Sequence, residues 1–81
     1  MKIDVRFLAS LRNTAGRDIY TLELPPGATL DDAIERLLRE LPALSEHVRM
    51  WHLAVNGTHA APDAVLQPGD RISIFPYIAG G

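Results

Sequence analysis

Six apolar residues, Leu30, Ala33, Ile34, Leu37, Leu38 and Leu41, fall at i, i+3, i+4, i+7, i+8 and i+11, so all share one side of a helix. Everything around this stripe is short alternating runs separated by turns. One helix must therefore cover one face of a sheet and leave the other face bare. The ends of the helix are marked as well. Thr29 and Asp32 form a Thr-x-x-Asp variant of the capping box, and Asp31 and Asp32 place carboxylates in the first turn. On the polar side Asp32 is expected to pair with Arg36, and Glu35 with Arg39, at i, i+4. Pro42 stops the helix.

The strands follow from period-two alternation. Ile3, Val5 and Phe7 share one face of the first strand, with Lys2, Asp4, Arg6 and Leu8 on the other. Residues 9–18 break the alternation and are expected to form a longer loop closed at Gly16, with Leu11 tucked back toward the domain. A second strand over Ile19–Leu24 points Tyr20, Leu22 and Leu24 inward and ends at Pro25-Pro26-Gly27. Beyond the helix, residues 43–50 read as an irregular or short helical connection, and Trp51 as a shield for the edge of the core. Leu53 and Val55 belong to a third strand, closed by the tight turn Asn56-Gly57. A short edge strand is expected near Thr58–Ala61, then a turn carrying Val65 and Leu66 toward the core. Pro68-Gly69-Asp70 launches the last strand, with Ile72 and Ile74 inward and Arg71, Ser73 and Phe75 outward. The order is ββαβ(β)β, an α+β chain with a mixed four- to five-stranded sheet and one main helix packed on one face.

Eighty-one residues make one small domain, with 47% hydrophobic residues and a net charge of −2. The boundaries expected are a folded body over 1–75 and a flexible tail over 76–81. No basic run exists, so a nucleic-acid partner is disfavoured. No stretch approaches the ~20 apolar residues needed to cross a bilayer, and the charged N-terminal run is unlike a signal peptide. These features point to the cytoplasm, where the Asn56-Gly57-Thr58 glycosylation pattern is idle. The chain has no cysteine, which excludes disulfides, thiolate metal sites and a cysteine nucleophile. His47, His52 and His59 are not spaced as metal ligands, and no metal site is expected. Asp31, Asp32 and Glu35 read as a solvated capping face. Ser10 and Ser45 have no evident base.

The chain closes on Gly80-Gly81, directly after the last strand. Two glycines at those positions arise by chance in roughly one chain in 200. They carry no side chains to clash in a narrow channel. Residues Tyr77 to Gly81 could extend ~15–18 Å, enough to reach a buried active site.

Several segments carry a resemblance over nearly the whole length. They are Ile3–Arg12 followed by Ala15-Gly16, Leu24–Thr29, Val55-Asn56-Gly57, and Leu66-x-Pro-Gly-Asp70 leading into Ile74-Phe75-Pro76-Tyr77-Ile78-Ala79-Gly80-Gly81. Together, and in this order, they resemble the MoaD/ThiS family of ubiquitin-like sulfur carriers, nearest its MoaD branch. Tyr77 stands where tails of that branch often carry a second proline. The resemblance implies a ubiquitin-like β-grasp with the first and last strands parallel at the centre. It implies a non-catalytic carrier subunit, with Gly81 converted by a ubiquitin-activating-type adenylyltransferase to an acyl-adenylate, at the expense of that partner's ATP. A sulfur donor system then leaves Gly81 as a thiocarboxylate, and the sulfur passes to a pterin precursor in the large subunit of molybdopterin synthase. The chain itself binds no cofactor in this scheme, and Pro76, Tyr77, Ile78, Ala79 and Gly80 thread the partner. Carriers for thiazole or cysteine synthesis, and a protein modifier conjugated through Gly81, use the same activated terminus and remain alternatives.

The bare sheet face is the expected grip. Phe75 and Leu8 sit on it beside Ala54 and His52, with Arg6 and Arg71 at the rim.

Overall fold

A computed structural model describes residues 1–76, apart from the side chains of His47, Arg49 and Met50. Five strands, β1 (Lys2–Phe7), β2 (Ile19–Glu23), β3 (Trp51–Val55), β4 (Thr58–His59) and β5 (Arg71–Pro76), form one sheet in the order β2-β1-β5-β3-β4. β1 and β5 run parallel at its centre, and the other neighbours are antiparallel. This is the β-grasp arrangement that the resemblance implies.

The inward rows are those that alternation selects. Ile3, Val5, Phe7, Leu22, Ile72 and Ile74 are fully buried. Against them packs the helix α2 (Leu30–Glu40), with Leu30, Ala33, Ile34 and Leu37 buried and Leu38 and Leu41 half-buried on the same core. The capping box is complete. Thr29 Oγ1 accepts from the Asp32 N–H at 3.2 Å, and Asp32 Oδ2 accepts from the Thr29 N–H at 3.0 Å. That use of Asp32 corrects one expected pair: Arg36 turns instead to Glu40, at 3.6 Å, while Glu35 meets Arg39 at 3.2 Å as expected. The chain leaves the helix at Leu41, whose backbone (φ −128°, ψ 72°) lies outside the helical region that a following proline disfavours. A 3-10 run over Pro42–Met50 then buries Leu44 beside the core.

Other expectations are corrected. Residues 9–18 contain a short helix, α1 (Leu11–Ala15), ended by Gly16 in the left-handed region at φ 74°. Leu11 is buried, as anticipated, and it and the half-buried Ala15 pack this short helix on the core. β2 stops at Glu23 and β4 holds two residues only. Val65 is 57% exposed while Leu66 is buried, because successive residues of an extended segment point to opposite sides. Val65 makes a single bridge to Thr29. Pro76 is the last residue of β5 and sits opposite Trp51. A proline is tolerated there because the ladder has ended on its N–H side.

Tyr20 ties β2 to the end of α2. Its hydroxyl donates to Glu40 Oε1 at 2.5 Å, and the Arg17 guanidinium lies 5.0 Å from its ring centre. The bond to Glu40 raises the tyrosine pKa above its ordinary value, with desolvation and the Glu40 charge adding to it and Arg17 opposing.

Candidate functional site

The ladders place side chains of the uncovered face in rows. Ile19, Arg6, Ser73, Ala54 and His59 lie side by side across all five strands. One row nearer the C-terminal end of β5, His52 faces Phe75. Leu8 continues β1 alongside Phe75, its N–H donating to the Ile74 carbonyl at 3.1 Å. In the other direction Arg71 stands next to Asp4, which faces Thr21. The six residues expected on this face are therefore brought together on it. Phe75 is 43% exposed and Leu8 half-buried, while Arg6, Arg71 and His52 are exposed. Ala54 differs in kind. It faces outward but is buried, since a methyl group between Ser73 and His59 lies below the level of its neighbours. It is the floor of the patch and offers a partner little surface.

Ile19, 48% exposed at the β2 end of the central row, is a residue that the sequence reading left out. Its signal was present: with Tyr20 and Leu22 inward, alternation turns Ile19 outward. The apolar part of the face is thus Phe75, Leu8 and Ile19, a small group bordered by cations.

At the far end of the face lies a concavity of about 480 Å³ lined by Arg6, Arg71, Ser73, Asn56, Gly57 and Gly69. Its wall is built by two turns clasped together. Asn56 Nδ2 donates to Asp70 Oδ1 at 2.9 Å, and Asn56 Oδ1 accepts from the Arg71 N–H at 2.9 Å. Asp70 Oδ2 accepts from the Gln67 N–H at 2.8 Å. Asn56 and Gly57 both have positive φ, 52° and 83°, the combination a two-residue hairpin turn requires.

Gly81, the expected acceptor, and Tyr77, Ile78, Ala79 and Gly80 lie outside the described residues. They follow Pro76 at the end of the strand held between β1 and β3. Among the described residues no group of three or more His, Asp or Glu side chains is placed to hold a metal. No helix among them is long and apolar enough to cross a membrane.

A half-covered β-grasp sheet, with the final residues issuing from its central strand, defines a small ubiquitin-like protein. The ThiS family matches residues 5–81, and the chain belongs to that family. It is 31% identical over 83 residues to the molybdopterin synthase sulfur carrier subunit of Chlamydomonas reinhardtii, covering 100% of both chains. Its fold is similar to that of a putative molybdopterin converting factor subunit 1 from Pyrococcus furiosus, at 30% identity and TM-score 0.87, covering 96% of this chain and 99% of the other. It is also similar to SAMP1 from Haloferax volcanii, at 25% identity and TM-score 0.88, covering 100% of both.

Proposed function

We propose that this protein is a cytoplasmic sulfur carrier for molybdopterin biosynthesis, acting through Gly81 as the small subunit of a hetero-oligomeric molybdopterin synthase. The observation that carries the reading is the junction at Pro76, where the central strand passes straight into a segment ending in Gly80-Gly81 within a chain of the ThiS family. The full-length similarity to molybdopterin synthase carrier subunits supports the choice of pathway.

A carboxylate is a poor electrophile. In this reading a Gly81 carboxylate oxygen attacks the α-phosphorus of ATP on an adenylating partner and expels pyrophosphate. Sulfur delivered by a donor at the level of hydrosulfide then attacks the acyl carbon and displaces AMP, and Gly81 is left as a thiocarboxylate. ATP and the catalytic groups belong to the partners. This chain contributes the reacting carbonyl, a final pair of residues without side chains, and a face by which it is held. The absence of cysteine suits that part, since no thiol of its own can intercept the activated terminus.

The likeness to SAMP1 favours a second reading, a modifier joined through Gly81 to lysines of other proteins. Intact mass of the protein from its native cells separates the two. A carrier has a population in which one oxygen is exchanged for sulfur, whereas a modifier has branched adducts on other chains. Removal of Gly81, or extension past it in cells that cannot trim the addition, is expected to abolish molybdopterin formation without changing thermal stability. Full molybdopterin formation by either variant overturns the carrier reading, and branched adducts formed by either variant overturn the modifier reading.

A further inference from the structure

We propose that the concavity lined by Arg6 and Arg71 is a docking site for a carboxylate-bearing ridge of the protein partner. It is a second point of attachment, at the opposite end of the face from the tail; the inference rests on the carrier reading above.

Its location separates it from the terminus. Arg71 opens β5 and Phe75 lies four residues on, about 13 Å away at ~3.3 Å per residue. A partner that engages only Phe75 and the tail leaves the carrier free to swivel about that end. A contact at Arg71 fixes its direction.

Its charge is unspent. Neither Arg6 nor Arg71 forms an ion pair among the described residues, although the chain as a whole is acidic. The two carboxylates nearest in the fold are turned to neutral donors: Asp4 accepts from Thr21 Oγ1 at 2.9 Å, and Asp70 from Asn56 and Gln67. By contrast, on α2 both arginines are paired within their own helix, and Asp31 adds further negative charge. The helix side thus repels an acidic partner and the sheet side attracts it, which orients encounter in the direction that presents the tail.

Its shape admits a side chain. Gly57 and Gly69 have no atom within 4 Å of the position a Cβ would take, and Ser73 is small. The wall is held by the Asn56–Asp70–Arg71 hydrogen bonds, so an entering carboxylate meets a surface that is already arranged.

Two measurements test the site. In surface plasmon resonance with the molybdopterin synthase large subunit of the same organism, Arg6→Glu/Arg71→Glu is expected to slow association at least tenfold at about 0.01 M salt. The difference should largely disappear at about 1 M, as the Debye length falls from ~30 to ~3 Å. Arg6→Gln/Arg71→Gln should lie between wild type and the reversal, which guards against misfolding. Unchanged association rates in both variants overturn the proposal. In the second measurement the full chain is titrated with hexaglutamate peptide and, separately, inorganic phosphate, followed by amide NMR shifts. Peptide-induced shifts centred on Gly57, Arg71 and Ser73, lost in the Gln variant, support a docking site. Shifts absent or scattered, or phosphate binding as tightly as peptide, overturn it. If the large subunit fails to bind even the wild type, the assignment to molybdopterin synthase fails, and the titration decides the concavity alone.

Discussion

Replacing Phe75 by alanine tests whether the uncovered face is the surface by which the carrier is gripped. Full burial of an aromatic side chain removes ~150–250 Å² from water, and 43% of Phe75 is still exposed in the free protein. A partner that covers the ring therefore removes a further ~65–110 Å², which at ~25 cal/mol/Å² is about 1.6–2.7 kcal/mol. The corresponding weakening is roughly 15- to 100-fold in Kd. Calorimetric titration of wild type and Phe75→Ala against the synthase large subunit reads this directly. The variant should also show a less negative heat-capacity change, the mark of lost apolar burial. Part of the ring packs on its own sheet, so stability should fall as well, by roughly 1–2 kcal/mol, and urea unfolding has to show that the variant is folded under the assay conditions. Phe75→Asp should bind more weakly still, because a carboxylate would have to be desolvated. A folded Phe75→Ala whose Kd changes less than about threefold refutes the assignment of this face, since even the low end of the area estimate exceeds that.

Three further outcomes are expected. Thr29→Ala removes the oxygen that accepts from the Asp32 N–H and should cost about 1 kcal/mol in urea unfolding, with Thr29→Ser restoring most of it. Asn56→Ala strips both bonds of the clasp and leaves alanine at φ 52°, for a loss of about 2–4 kcal/mol. Asn56→Gly relieves only the backbone part, so the difference between the two variants measures the strain; equal losses would contradict the φ argument. Tyr20 is expected to ionise above the ordinary tyrosine value, because its protonated hydroxyl is the donor to Glu40. A raised pKa on this acid means that the contact stabilises the fold below the ordinary tyrosine pKa and is lost as pH rises through the folded value. Absorbance titration of phenolate should show Tyr20 shifting down in Glu40→Gln, and an unmoved titration would sink the coupling.

The parts of this fold legible in the sequence are those set by a local period or local chemistry. The α2 stripe, the Thr29 cap, the Asn56-Gly57 turn and the inward rows of β1 and β5 need no knowledge of distant residues. Where two local rules compete, sequence alone does not choose. Asp32 can cap the helix or pair with Arg36, and the cap holds it, leaving Arg36 for Glu40. Val65 and Leu66 cannot both face inward on an extended segment, and the core accepts Leu66. α1 is shorter than one clear apolar repeat, and the reversal before it falls on Ala9, at φ 51°, a residue type that gives no turn signal. The same division runs through the candidate site. Phe75, Leu8, Arg6 and Arg71 follow from alternation, whereas the concavity does not, because its wall depends on a bond between Asn56 and Asp70, fourteen residues apart.

The position of β5 bears on how such a carrier would be used. This strand is paired on both sides, and its Ile72 and Ile74 are fully buried, so opening it requires loss of the core itself. Its outward residues, Arg71, Ser73 and Phe75, lie on the same strand that leads into residues 77–81. A partner that grips the face therefore holds the root of the tail through one rigid element. The apolar group is small, Phe75, Ile19 and part of Leu8, and the charges beside it act mainly on the rate of encounter. Small apolar area with steering charge gives complexes that form fast and also part. A carrier that must be loaded by one partner and emptied by another requires that balance. Enlarging the patch away from the concavity, for example by His59→Leu beside Ala54, should lengthen the life of a single complex and slow sulfur turnover, with the loaded carrier accumulating on the partner that releases it last. Faster turnover in that variant would show that release is not the slow step.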